Sequence, residues 1–243
     1  VVKRFTLVFT LSPTGGTMIP SMQQTYDLGS TQAVRHRVLR NTYWLLALSM
    51  IPTVLGAFIG VSLKLPMLSG GFGFIVFMAI AFGFIFAIEK TKDSAVGVAV
   101  LLGFTFFMGL MLTPLLRHTL GYSNGGSLIM TAFGGTACVF AVMASIATTS
   151  KRDFSAMGSW LMAGVVVLIL ASIANIFLGM SALSIVISVL AIGIFSAFIL
   201  FDVQRIINGG ETNYIRATLS IYLDVYNIFT SLLSLLGLGG SRD

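Results

Sequence analysis

Runs of about 20 apolar residues succeed one another through most of this chain, and a helix of that length spans the roughly 30 Å hydrocarbon core of a bilayer. Seven such windows stand out: Tyr43 to Leu63, Gly70 to Ile88, Ser94 to Leu116, Ser127 to Thr149, Met157 to Leu178, Ala182 to Ile207, and a last one ending near Gly239. Lipid offers no hydrogen-bond partner to a backbone, so isolated runs of this kind must fold as helices. The rest of the composition agrees. Charged residues make up 9% of the chain, against about 25% in a typical soluble domain, and the mean hydropathy is +0.98. The expected fold is therefore all-α: a polytopic membrane protein with seven transmembrane helices in residues 41–243, preceded by a polar tail over residues 1–40. The helices are joined by short polar connections, "KLPMLSG", "EKTKD", "RHTLGYSNGG", "SKRDFSA", "GMS" and "NGGETN".

The net charge of +6 does not indicate nucleic acid, because the basic residues are scattered between apolar runs instead of forming a patch interleaved with aromatics. Numbering the two sides alternately, one collects Arg35, Arg37, Arg40, Lys90, Lys92, Lys151, Arg152 and Arg205, and the other Lys64, Arg117 and Arg242. The positive-inside rule then places the N-terminus in the cytoplasm and, after seven spans, the C-terminus outside.

The start, "VVKRFTLVFTL", echoes a signal peptide only weakly, while "MQQTYDLGSTQ" from Met22 reads as a natural polar beginning. Residues 1–21 are therefore expected to carry no fold. Cys138 lies in an apolar run and is expected to be a small packing residue. The same is expected of the small residues Ala137, Ala141 and Ser145, and of Gly193 and Ala197, whose four-residue spacing allows close helix approach. The two histidines, His36 and His118, are too few for a zinc site of the usual type.

Against this background Asp202 and Asp224 are out of place. An aspartate near the middle of a membrane helix costs about 2.5 to 3.5 kcal/mol on insertion scales and usually faces the bundle interior or water. Asp202 has Arg205 one turn on as a candidate ion-pair partner. Asp224 has no basic residue one turn away; Asn227 offers a hydrogen bond, and Arg216 is more than two turns back. In a helical hairpin, residues equidistant from the turn lie at equal depth, and the midpoint of these two positions falls at Asn213. The carboxyl groups become level if residues 208–217 form a connection and the last helix starts near Thr218, which also keeps Arg216 at the interface. Two adjacent carboxyl groups do not easily both ionise, so the pair would share a proton and titrate as a unit. Fully deprotonated, the same oxygens suit a divalent cation such as calcium. No resident cofactor is indicated.

The stretches "HRVLRNTYWLLALSM" and "FDVQRIINGGETNYIRATLSIYLDVYNIFTSLLSLLG" resemble the Bax inhibitor (TMBIM) family, and "NGGETNYIRAT" with the terminal "SRD" is most similar to its bacterial YccA-like branch. The resemblance runs from about Arg35 to Asp243. It implies a seven-helix fold with the last helix surrounded by the other six, in a bacterial inner membrane. It also implies a pH-sensitive di-aspartyl latch at Asp202 and Asp224 of the kind found in calcium-leak members. For the YccA-like branch it implies modulation of the membrane protease FtsH through a cytoplasmic N-terminal tail, here residues 22–40. Some leak-competent relatives carry an arginine near the end of the second helix that contacts the latch; this chain has Glu89, Lys90 and Lys92 there.

Enzymatic alternatives fit less well. Paired aspartates in consecutive membrane helices are also how intramembrane aspartyl proteases are built, but the Gly-x-Gly-Asp and Pro-Ala-Leu motifs of that class are absent. The segment "GMSA" at Gly179 to Ala182 only half resembles a rhomboid nucleophile motif, and no histidine follows it. A non-conducting membrane regulator is the remaining alternative to a channel.

Overall fold

A computed structural model describes residues 22–63, 70–150, 152–154 and 156–238. The expectations for residues 1–21 and for the terminal "SRD" lie outside the described residues. The described chain is helical throughout: α1 (Met22–Ser62), α2 (Gly70–Thr91), α3 (Ala95–Met111), α4 (Thr113–Leu120), α5 (Gly125–Thr149), α6 (Met157–Leu178), α7 (Ser181–Ile207) and α8 (Tyr214–Leu238). With α3 and α4 forming one pass, these make seven. Six passes meet the length and composition needed to cross a membrane, and the remaining one, α2, is an apolar helix of 22 residues.

The α3–α4 break falls inside the window read as a single span from Ser94 to Leu116, and Pro114 accounts for it. Proline has no N–H to donate to the carbonyl four residues back, which here is Leu110 O. The Thr113 hydroxyl donates to that carbonyl instead, at 2.6 Å. The other end of the chain shows a different departure. The polar stretch from Met22 to Arg40 belongs to α1 and is helical, because polarity bars residues from lipid without barring them from a helix.

The bundle proper is the unit Val34–Asp243, and α8 is its hub. It packs against α2, α3, α4, α5 and α7 and is hydrogen-bonded to α1. Among the described residues α6 lies instead on α7, so the last helix is central with one pass held outside it. The outer surface is apolar, as lipid requires: Trp160 and Phe177 of α6 are 82% and 85% exposed.

Helix approach uses different small residues from those expected. Ala137, Ala141, Ser145 and Gly193 are exposed, as is Cys138. Four-residue spacing identifies a face, and in a membrane a small-residue face can point at lipid without penalty. The close crossing is between α1 and α3, where Gly56 lies on the backbone of Phe106 and Gly109 on the backbone of Thr53. A Cβ at Gly109 would sit 2.9 Å from Thr53 Cα.

Candidate functional site

The α7–α8 connection, residues 208–213, builds the site's outer rim. At the end of α7, Asn208 N–H donates to Gln204 O at 2.8 Å, Gly209 N–H to Ile206 O at 3.0 Å, and Gly210 N–H to Arg205 O at 2.8 Å. Gly209 takes φ +80°, a left-handed conformation that only glycine adopts without strain. Its missing side chain also makes room for Arg35 of α1, whose guanidinium lies over the glycine and donates from Nη1 to Ile207 O at 3.4 Å. A cation there suits the negative end of the α7 dipole.

Asn213 then starts α8. Its Oδ1 accepts from Ile215 N–H at 3.0 Å and Arg216 N–H at 3.1 Å, the bonding of an N-cap residue. Its Nδ2 donates to Lys92 O at 3.0 Å and Asp93 Oδ1 at 2.9 Å in the α2–α3 connection. The arrangement that would level the two aspartates, a connection over residues 208–217 with the last helix starting near Thr218, is not the one found: the cap places Tyr214 to Ala217 inside α8.

Asp202 therefore stands five residues before the end of α7 and Asp224 ten after the start of α8. Helices with level ends would separate them by about 7.5 Å along the axis. The two carboxyl groups nevertheless act electrostatically on each other across the packed α7–α8 contact. Asp224 is 5% exposed, and its Oδ2 is enclosed without a hydrogen-bond partner. Two ionised carboxylates have no proton to place between them, whereas one proton makes one group a donor and the other its acceptor.

The remaining sequence-derived site residues divide. Arg205 acts electrostatically on Asp202, yet its ion pair is with Glu211, Nη2 to Oε2 at 3.9 Å. Arg216 Nε lies 3.4 Å from Glu89 Oε2 and 3.6 Å from Glu211 Oε2, and Glu89 is also bonded to Lys92. These charges form one network at the rim, outside the carboxyl pair. Glu211 is its most enclosed member, with 11% of its side chain exposed, and its Oε1 accepts from the N–H groups of Thr212 and Asn213. Lys90 lies over the Phe86 ring at 5.3 Å. Asn227 does not reach Asp224; its Nδ2 donates to Leu223 O of its own helix at 2.7 Å. Among the described residues no group of three or more His, Cys, Asp or Glu is placed to hold a metal. The pair alone offers at most four of the six to eight oxygens calcium takes.

Other polar groups that the sequence reading passed over tie α8 to its neighbours. Thr218 donates to Tyr214 O at 2.7 Å and approaches Thr42 O of α1 at 3.3 Å. Tyr222 OH meets Thr53 Oγ1 at 2.9 Å and Thr105 O at 3.4 Å. Tyr226 OH donates to Met108 O at 3.3 Å. Their i, i+4, i+8 spacing is the signal that one face of α8 is polar. At the opposite end of the bundle from Asp202 and Asp224, a cavity of about 410 Å³ opens among His118, Thr119, Asn175, Ser188 and Ser234.

Fold and site together define a class: a seven-pass helical membrane protein built round a central last helix whose enclosed carboxyl interacts with a second carboxyl on the helix before it. Comparison with known proteins identifies the family. Residues 35–242 match the family model described as Inhibitor of apoptosis-promoting Bax1, and the chain belongs to this Bax inhibitor family. It is 43% identical over 208 residues to the Modulator of FtsH protease YccA of Escherichia coli strain K12, covering 86% of this chain and 92% of the relative. The same figures hold for the Inner membrane protein YccA of Escherichia coli O6:H1. An uncharacterized membrane protein of Vibrio cholerae is 37% identical over 209 residues, 86% of this chain and 92% of its own length.

Proposed function

We propose that this chain resides in the bacterial inner membrane with its N-terminus in the cytoplasm and its C-terminus outside, and that Asp202 and Asp224 form a proton-operated latch on a path for a cation such as calcium. The observation that carries this reading is the enclosed Asp224 carboxyl facing Asp202, with Oδ2 left without a partner. A structural carboxylate in a bundle would be expected to have its oxygens satisfied. Protonation changes whether the pair attracts or repels, and a coupling of about 1.4 kcal/mol changes a closed-to-open ratio tenfold. Arg205 and Glu211 are the charged groups facing the pair from the rim. The test is calcium flux into liposomes holding only this protein, measured across a pH series. Wild type should show a pH-dependent flux, and Asp202→Asn and Asp224→Asn should each abolish the pH dependence, since an amide does not titrate. If both variants keep the wild-type profile, the latch reading fails.

A second reading rests on a different observation, the 43% identity to a relative named as a modulator of FtsH protease. In this reading the chain acts by binding and not by conduction or covalent chemistry, with residues 22–40 as the segment the protease engages; termini are where proteases take hold. Absence of flux at every pH favours it. Deleting residues 22–34 should then lengthen the protein's lifetime in cells containing FtsH, and an unchanged lifetime counts against it.

A further inference from the structure

The motif "FDVQ" at the end of α7 places Gln204 two residues after Asp202, which is about 200° round a helix. The two side chains accordingly point to opposite sides of α7. Asp202 lies on the side that interacts with Asp224 of α8, while Gln204 is buried, 5% exposed, against the α5–α6 connection. There its carboxamide is used twice: Oε1 accepts from Phe154 N–H at 2.6 Å, and Nε2 donates to Arg152 O. This is the pairing a neighbouring β-strand would offer, delivered by one side chain. On the same turn, Phe201 lies against the first turn of α6, where a Cβ at Gly158 would sit 2.8 Å from the ring.

We propose that Gln204 is the positioning residue that fixes the rotation of α7 and so keeps Asp202 turned toward Asp224, an inference that rests on the reading of this pair as the latch. Turning α7 about its axis far enough to part the carboxyl groups swings Gln204 away from Arg152 and Phe154 and breaks both of its bonds to the connection. The α5–α6 connection is thus coupled to the carboxyl pair through one helix.

The test separates rotation of α7 from general loosening of the bundle, and it does not use ion flux, so it stands or falls independently of conduction. In full-length protein carrying Cys138→Ser and reconstituted in nanodiscs, Asp202→Cys and Asp224→Cys are cross-linked with a short bifunctional thiol reagent. A second pair, Thr42→Cys and Thr218→Cys, reports the α1–α8 contact. Each buried hydrogen bond is worth a factor of roughly two to ten. Gln204→Leu should therefore slow cross-linking of the 202–224 pair at least about fivefold, while changing the 42–218 pair less than about twofold. Gln204→Glu keeps the acceptor for Phe154 N–H and loses the donor, so it should fall between; if the leucine variant does not accumulate, the glutamate variant is read by the same comparison of pairs. An unchanged 202–224 rate overturns the proposal, and so does an equal slowing of both pairs.

Discussion

Asn213 offers a graded test of how the candidate site is assembled, because its two side-chain atoms do separable jobs. Oδ1 caps α8 through Ile215 and Arg216, and Nδ2 holds the α2–α3 connection through Lys92 O and Asp93 Oδ1. Losing an N-cap costs about 1 kcal/mol. The two donated bonds lie at a partly exposed rim and are worth about 0.5 kcal/mol each. Asn213→Ala should thus destabilise by about 2 kcal/mol in total. Asn213→Ser retains a capping oxygen and loses only the donor, so it should cost about 1 kcal/mol. Asn213→Asp also caps α8, with a charge that suits the helix N-terminus, but it presents an acceptor to Lys92 O and to the Asp93 carboxylate. It should therefore fall below Asn213→Ser. The assay is unfolding by sodium dodecyl sulfate in mixed micelles, followed by circular dichroism. If the serine variant is as unstable as the alanine variant, the cap contributes nothing. If the alanine variant lies within about 0.5 kcal/mol of wild type, the account of the connection is wrong.

Three other outcomes follow from close contacts. Tyr222→Phe and Thr53→Val should show a coupling of about 1 kcal/mol in a double-mutant cycle, since each removes one end of the 2.9 Å hydroxyl contact; a coupling near zero would mean the hydroxyls are not bonded. Gly109→Ala drives a methyl into the Thr53 backbone and should cost about 1 to 3 kcal/mol, read as lost folded protein in the same unfolding assay. Gly209→Ala meets both a φ of +80° and the Arg35 guanidinium, with Nε 2.9 Å from the added carbon. Arg35→Ala should relieve the second cost, making the double variant less unstable than the sum of the singles, whereas strict additivity would remove Arg35 from the contact.

The spans were legible because the thickness of the hydrocarbon layer dictates their length, and α6 occupies the window read for it, Met157–Leu178. What hydropathy reports is transfer to lipid, however, and not helix formation. It therefore missed the polar first half of α1, and levelling the two aspartates in a symmetric hairpin put the start of α8 four residues late. The N-cap signal of Asn213, and Pro114 at the α3–α4 break, were both present as local chemistry. Facing was less accessible. The stripe Ala137, Ala141 and Ser145 and the crossing glycines Gly56 and Gly109 look alike in sequence, and only the partner helix distinguishes them. Asp202 and Asp224 were conspicuous because charge in an apolar run is expensive. Gln204, Glu211 and Asn213 were not, because polar residues are ordinary where a helix leaves the membrane. Asn227 misled for a related reason: an amide one turn from Asp224 bonds its own helix as readily as a neighbour's carboxyl.

The polar groups of α8 are unevenly satisfied between its two sides. On the side facing α1 and α3, the Thr218, Tyr222 and Tyr226 hydroxyls all have partners, and breaking any of them would leave a polar atom unpaired inside the bundle, where it costs about 1 to 3 kcal/mol. On the side facing α7, Asp224 Oδ2 has none, so separating the carboxyl groups forfeits fewer bonds there. If the pair operates as the proposed latch, a change in it acts first across the packed α7–α8 contact. The outermost pass, α6, packs on α7 and touches it where Gly158 meets Phe201. Any movement of α7 there would be restrained by the anchors on its last turns, the Gln204 bonds to Arg152 and Phe154 and the Arg35 bond to Ile207. All of them lie within five residues of Asp202, so the group that would drive the movement and the bonds that would restrain it occupy the same short stretch of helix.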